Sequence, residues 1–330
     1  MMALPAYPSL YQINTRVWLT ELSRALGKRA TLDDIPDTEL DRLAALGFDW
    51  VWFLSVWQTG PAAQAISRAH PEWRREFAET LPDLKDEDIA GSGFAIQNYT
   101  VHRDLGGAAA LARLRQRLQK RGMKLMLDFV PNHVAPDHPW IDEHTDYFVH
   151  GSESDLARAP QNYCRVQTKN GPLVLAYGRD PYFDGWPDTL QLNYGNPELQ
   201  QTMIGELESI AGQCDGVRCD MAMLVLPEVF ERTWGIRAEL FWPNATDAVR
   251  RKHPKFLFMA EVYSGHGVDD AATGVRLRLR QTALRPLARG TRAAGARAFS
   301  RRTGLPEQAG SFSRKPRRAA CGGDIYSEHP

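Results

Sequence analysis

Three stretches in the first 263 residues repeat one pattern: an amphipathic helix, a glycine or turn that stops it, and a short apolar strand. In "DTELDRLAALGFDWVWFLSV", Leu40, Leu43 and Leu46 share a helical face, Gly47 is the stop, and Trp50 to Leu54 is the strand. In "GGAAALARLRQRLQKRGMKLMLDFVPNH", Leu111, Leu114 and Leu118 precede Gly122 and a strand from Lys124 to Val130. In "NPELQQTMIGELESIAGQCDGVRCDMAM", Asn196 suits a helix cap, Pro197 the first helical position, and Val217 to Met221 a strand. A fourth strand, "KFLFMAEVY", ends at Tyr263. The strands are nearly unbroken apolar runs, which a sheet covered by helices on its faces requires, so the fold class is α/β with a parallel sheet. From His133 to Gln191 the pattern gives way to Pro, Gly, Asp and aromatic residues, read as a subdomain at about 134–193 inserted after the third strand.

Polar residues collect where these strands end: Asp128, Asn132 and His133 after one, Arg218 and Asp220 on the next, Glu261 on the last. Residues two apart on a strand face the same way, so Arg218 and Asp220 share a side, and the guanidinium favours an ionised Asp220. Glu261 stands among Phe258, Met259 and Val262, which suggests a desolvated carboxyl with a raised pKa. One ionised and one protonated carboxyl about 5 to 5.5 Å apart make the pair used in retaining glycoside chemistry. Taken singly, each residue has a structural reading. An Asp at a strand end is more often a helix cap, Arg218 with Asp220 fits an ion pair, and Glu261 alone fits a solvated rim. His102 reads as a loop histidine, and the tryptophans as core.

The joint order of these residues resembles the α-amylase family, family 13 of the glycoside hydrolases and transglycosidases. "DFVPNH" (Asp128 to His133), "GVRCDMAM" (Gly216 to Met223) and "MAEVY" (Met259 to Tyr263) are similar to three family motifs in order. "LQLNY" (Leu190 to Tyr194) is similar to a weaker fourth, and "GSGFAIQNYTVHRDLGG" to the region between the second and third strands. The resemblance covers about residues 8 to 263. It implies a (β/α)8 TIM-type barrel, here incomplete with about five strands, acting on α-glucans, oligosaccharides or α-glucosides. By the same resemblance Asp220 is the nucleophile, Glu261 the general acid/base and Arg218 the nucleophile's partner. His133 binds sugar hydroxyls, Asp128 supports the site, and Phe94 stands where an aromatic stacking residue is common. No organic cofactor is implied; Asn132 corresponds to a calcium ligand of many relatives. After Asp220, "MAML" lacks the usual Lys-His type pair, which leaves starch itself outside what the resemblance implies. A glucan or sucrose transglycosylase, a phosphorylase of the same family, and a non-catalytic amylase-like binding protein remain alternatives.

Composition matters most at Tyr263. The net charge of zero hides 13 Lys+Arg against 5 Asp+Glu in residues 264–330, and all nine Trp lie before that segment. No Asn-His-Asp, the family's motif for its third carboxylate, follows Tyr263. Residues 264–330 are therefore read as an out-of-frame, disordered tail, and residues 1–263 as the amylase-type part. Read one base later, permitted codons for "VRLRLRQTALRP" encode FDYAYDKRLYDR, and those for "SFSRKPRRAACGG" encode RFLENHDEPRAAE, which contains the motif. Turnover by the chain as written is expected to be negligible, and its unpaired strand edges are expected to favour poor folding or aggregation. A nucleic-acid arm would need aromatic interleaving that the tail lacks, so nucleic acid is not an expected partner. With no apolar run near the ~18 residues of a membrane span, no membrane partner and a cytoplasmic location are expected.

Overall fold

The structure is a computed structural model and describes residues 8–263 and 277–281. Its centre is a six-stranded parallel sheet: β1 (Leu10–Asn14), β2 (Trp50–Leu54), β3 (Lys124–Phe129), β4 (Gly216–Cys219), β5 (Leu257–Tyr263) and β6 (Leu277–Gln281). Every neighbouring pair is parallel, and the spatial order is the chain order. A doubly wound sheet reverses its order at a switch point; this one does not, so its winding is that of a βα barrel. Four strands fall where the apolar runs placed them. β1 and β6 are additions, and β6 comes from the Arg-rich segment. The remainder of the tail lies outside the described residues.

The helices end where their glycines allow. Gly47 and Gly122 have φ of 81° and 77°, a left-handed conformation that costs a residue without a Cβ little. The Asn196 side chain accepts from the backbone N–H of Glu198 and Leu199, and Pro197 opens the helix Pro197–Gln213. A cap from a distant segment starts the helix Pro61–Ala69: Asp137 Oδ2 accepts from Ala62 N at 3.0 Å. Gly60 leaves room for it, since a Cβ there would stand 2.1 Å from that carboxylate.

Strand parity divides the sheet into two faces. Val51, Phe53, Leu125, Leu127, Val217, Cys219, Phe258 and Ala260 pack with helix residues such as Leu40, Leu114, Met203 and Leu207 in the larger core. The alternate positions, Trp50, Trp52, Leu54, Met126, Leu257 and Met259, form a second cluster on the inner face. Gly216 makes room for it, because a Cβ there would meet the Trp50 ring at 3.0 Å. Between β3 and the helix Pro197–Gln213 lie a two-stranded ribbon, His133–Val134 with Leu190–Gln191, and a hairpin, Tyr163–Thr168 with Gly171–Ala176.

Candidate active site

The inner-face parity that carries Trp52, Met126 and Met259 continues toward the carboxyl ends of the strands and delivers charge there. Asp128 on β3 is in register with Arg218 on β4, and Arg218 with Met259 on β5, two residues before Glu261. Four charged side chains therefore meet in one place, all nearly sealed from solvent: Asp128 0%, Arg218 1%, Asp220 3% and Glu261 1% exposed. The Arg218 guanidinium pairs through Nη1 with Asp220 Oδ1 and through Nη2 with Glu261 Oε2. The planar fork of an arginine suits two oxygen partners at once. Its Cζ lies 5.3 Å from the Trp52 ring centroid and 5.1 Å from that of Phe94, within cation–π range.

The electrostatics follow from burial. Desolvation alone would lower the Arg218 pKa, but the charges of Asp220, Glu261 and Asp128 outweigh it, so the guanidinium titrates above its usual range. Asp128 is pushed up to about 7, first by burial and also by the charge of Asp220, against the pull of Arg218. With both terminal nitrogens of Arg218 given to Asp220 and Glu261, the third carboxyl is held by dipoles instead. Trp52 Nε1 donates to Asp128 Oδ1 at 3.0 Å and Ser55 N to Oδ2 at 3.1 Å, while Trp57 Nε1 donates to the Asp128 carbonyl at 2.7 Å.

Glu261 is desolvated as its flanking residues suggested, and its immediate partners are polar. Phe258 and Val262 point to the helical layer, so the carboxyl meets Arg218 and the Met221 N–H (3.1 Å) rather than an apolar pocket. Two non-glycine residues with left-handed backbone aim these donors: Ser55 (φ 67°) presents its N–H to Asp128, and Met221 (φ 47°) presents its own to Glu261. Such conformations cost about 1 kcal/mol or more each and gather at functional sites. The Met221 turn also ends β4 at Cys219, so Asp220 stands just beyond the strand, with its N–H on the Phe129 carbonyl at 2.7 Å. The "MAML" segment continues as a buried short helix, Ala222–Val225. Gly93 lets the loop carrying Phe94 close on Ser55, since a Cβ there would lie 1.7 Å from Ser55 Oγ.

His133 is buried and meets Trp186 edge to face, with ring centroids 5.0 Å apart. Asn132, the candidate calcium ligand, has its side-chain oxygen taken: Gln191 Nε2 donates to Asn132 Oδ1 at 3.0 Å and to its carbonyl at 2.9 Å. No group of three or more His, Cys, Asp or Glu residues able to hold a metal occurs among the described residues. A hard cation is held by several oxygens, amide and backbone carbonyls included, so calcium at Asn132 stays an expectation, and the mechanism uses none. His102 keeps its structural reading: it is buried, its Nδ1 accepts from Asp104 N at 3.1 Å, and burial, then the Arg16 charge, lower its pKa to about 4.

The sequence reading did not single out Trp52, Ser55, Met221 or Gln191. For Trp52 a signal existed, since it shares inward parity with Trp50 and Leu54 on a strand that ends beside Asp128.

Asp128 gives a pH test. Its folded pKa lies above the ordinary carboxyl value of 3.8. As pH rises from about 4 to about 7, the unfolded chain releases this proton while the folded chain holds it, so its contribution to stability is present at low pH and lost on raising pH. The stability difference between wild type and Asp128→Asn is expected to turn against wild type by at most about 4 kcal/mol across that window. Urea unfolding from pH 4 to 8 measures it, and a flat or rising difference contradicts it.

Acidic side chains gathered on one arginine at the carboxyl ends of parallel βα strands define an enzyme-type site of the barrel class. Residues 31–272 match the family "Alpha amylase, catalytic domain", and the chain belongs to the α-amylase family of glycoside hydrolases and transglycosylases. The fold class is thus the (β/α)8 type expected. Among curated relatives, the trehalose synthase/amylase TreS of Mycobacterium tuberculosis is 25% identical over 250 residues, 70% of this chain and 35% of the relative. The alpha-1,4-glucan:maltose-1-phosphate maltosyltransferase of Bifidobacterium longum is 27% identical over 234 residues, 69% of this chain and 26% of the relative. Among solved structures, an alpha-amylase from Lactobacillus plantarum superposes with a TM-score of 0.54 at 24% identity, over 80% of this chain and 50% of the amylase. The chain thus spans between about a quarter and about a third of the length of these curated relatives.

Proposed function

We propose that residues 8–263 carry the nucleophile and the acid/base of an enzyme that cleaves α-glucosidic bonds with retention, in two displacements. The observation that carries this reading is the single guanidinium shared by Asp220 and Glu261, which keeps both carboxyls within one side chain's reach. In the first displacement Asp220 attacks the anomeric carbon, the glycosidic C–O bond breaks, and Glu261 gives its proton to the departing oxygen. In the second, Glu261 takes a proton from the incoming acceptor as that acceptor's oxygen attacks the anomeric carbon, and Asp220 leaves as a carboxylate. Arg218 stabilises the Asp220 carboxylate at the start and end of each cycle. Asp128, anchored by Trp52 and Ser55, stands beside Arg218 and adds its charge to the hold on the guanidinium once it ionises, at about pH 7. Among the described residues no helix is long and apolar enough to cross a membrane.

Water, a sugar hydroxyl or phosphate can each serve as acceptor. Transfer to a sugar is the second reading, favoured by the name of one curated relative, a maltosyltransferase, while the other is named for both reactions, trehalose synthase/amylase. The shared first displacement is the test. A slowly turned-over fluorinated α-glucosyl fluoride is expected to leave one glucosyl unit on the peptide containing Asp220 in the chain with its downstream frame restored, and none in Asp220→Asn. A label on another residue, or none, overturns the reading and favours a non-catalytic binding protein.

A further inference from the structure

Two aromatic side chains beside the site are displayed outward in a way the chemistry above does not use. Tyr182 and Phe183, adjacent in the loop Gly178–Trp186, are 57% and 68% exposed. Single exposed apolar residues are ordinary, but two neighbouring large rings on a braced loop are not. The brace is Asp180, itself only 4% exposed, whose Oδ1 accepts from Tyr182 N at 2.7 Å and Phe183 N at 3.0 Å. That turn fixes the backbone so the two side chains stay outside.

The loop is rooted on the site at both ends. Gly178 and Trp186 pair as an isolated bridge, Gly178 packs so tightly on His133 that a Cβ would come within 2.8 Å of it, and Trp186 meets the His133 ring. On its other side the loop is tied to the helix Pro227–Trp234, which follows Asp220. Arg179 Nη2 donates to the Thr233 carbonyl at 3.1 Å, and Arg232 lies 6.0 Å from the Tyr182 ring centroid. Phe183 is three residues from Trp186, so its Cα stands no more than about 11 Å from that residue's.

We infer that Tyr182 and Phe183 form a stacking shelf for sugar units of an α-glucan lying beyond the unit held at His133, and that Asp180 is its positioning residue. This rests on the proposed α-glucan reading. The apolar C–H face of a pyranose ring matches an exposed aromatic face, Asp180 fixes the backbone that carries the rings, and the loop's root places them within reach of a short oligosaccharide.

The test is calorimetric binding of maltose and of maltopentaose to the full 330-residue chain, which needs no turnover. Wild type is expected to bind maltopentaose about tenfold more tightly than maltose. Tyr182→Ala with Phe183→Ala is expected to abolish that ratio, with affinity for maltose changed less than twofold and the thermal melt unchanged. Asp180→Ala is expected to lose the ratio although both rings remain, and Asp180→Asn, which keeps an accepting oxygen, to retain it. If the double variant still binds maltopentaose as wild type does, the shelf is overturned while the α-glucan reading stands. If wild type melts cooperatively and binds neither sugar, the α-glucan reading falls and the shelf with it. Equal loss of maltose and maltopentaose in the double variant also overturns the shelf, because the rings would then act on the central site.

Discussion

Deleting one base beside the Tyr263 codon is expected to turn a chain with negligible turnover into an active α-glucosidic-bond enzyme. Up to Tyr263 the residues satisfy one physical plan: buried strands, capped helices, and a charged cluster on inner-face parity. Beyond it, the residues are Arg-rich and contain no tryptophan. Arg codons ending in GA (CGA or AGA) followed by a codon starting with C or G become Asp or Glu codons when read one base later, so an acidic segment read out of frame looks basic. The backbone of β6 lies beside β5 with Glu261 opposite Leu279, at the position of the next barrel strand. The shifted reading of residues 275–281, FDYAYDK, is a sequence suited to a strand, with aromatic residues at alternating positions. Further on, the shifted reading places an Asn-His-Asp at Lys315 to Arg317. Gaining a preorganised charge at the reacting centre is felt on the order of 10²-fold or more in rate. Hydrolysis and transfer assays on the restored and unrestored chains with a panel of α-glucosides measure the gain. Robust turnover by the unrestored chain, or a gene whose other frame encodes no Asn-His-Asp there, contradicts the expectation.

What the sequence made legible and what it hid follow from the same parity. Arg218 and Asp220 could be placed on one side because strand parity is local, and Asp128 and Glu261 because both stand where apolar runs end. Who donates to whom depends on register between strands, which no local pattern carries. The Trp52 and Ser55 donors to Asp128 are therefore a structural finding. The burial of Glu261 was legible and its partners were not, for a related reason: Met259 shares its face while Phe258 and Val262 face the other side of the sheet. β1 escaped because "LYQIN" has no unbroken apolar run and pairs on one edge only among the described residues. The helix Pro71–Thr80 buries no residue, so it leaves no apolar period to read. The helices Asp37–Ala45 and Gly107–Gln119 were visible from their leucines. The ladder joining their region, Arg113 to Asp33, Arg117 to Asp37 and Arg121 to Asp41, was not, although both sides step by four residues. Such exposed pairs add about 0 to 1 kcal/mol each and tune the packing that the apolar faces dictate.

Replacing Arg218 by methionine is expected to produce the largest loss of stability of any single substitution in the site. The side chain is 1% exposed, and its removal leaves Asp220 and Glu261 buried without their common counter-charge, beside an already desolvated Asp128. Breaking a buried ion pair from one side costs about 3 to 5 kcal/mol, because the penalty is that of the stranded charge rather than the worth of the pair. Two carboxyls are stranded here, so the upper part of that range applies at neutral pH. The sign with pH is fixed by the same argument. The penalty is one of buried, unpaired charge, so the variant is expected to recover stability as pH falls toward 4. Adding Asp220→Asn and Glu261→Gln to the methionine variant is expected to return much of the loss at pH 7 while leaving the chain inactive. Arg218→Lys is expected to fall between, since one ammonium cannot grip both carboxyls as the fork does. Urea unfolding of this series at pH 7 and pH 5 decides it. A loss below about 1 kcal/mol for the methionine variant, the scale of an exposed pair, would mean that water reaches the cluster and that Arg218 does not hold the two carboxyls together.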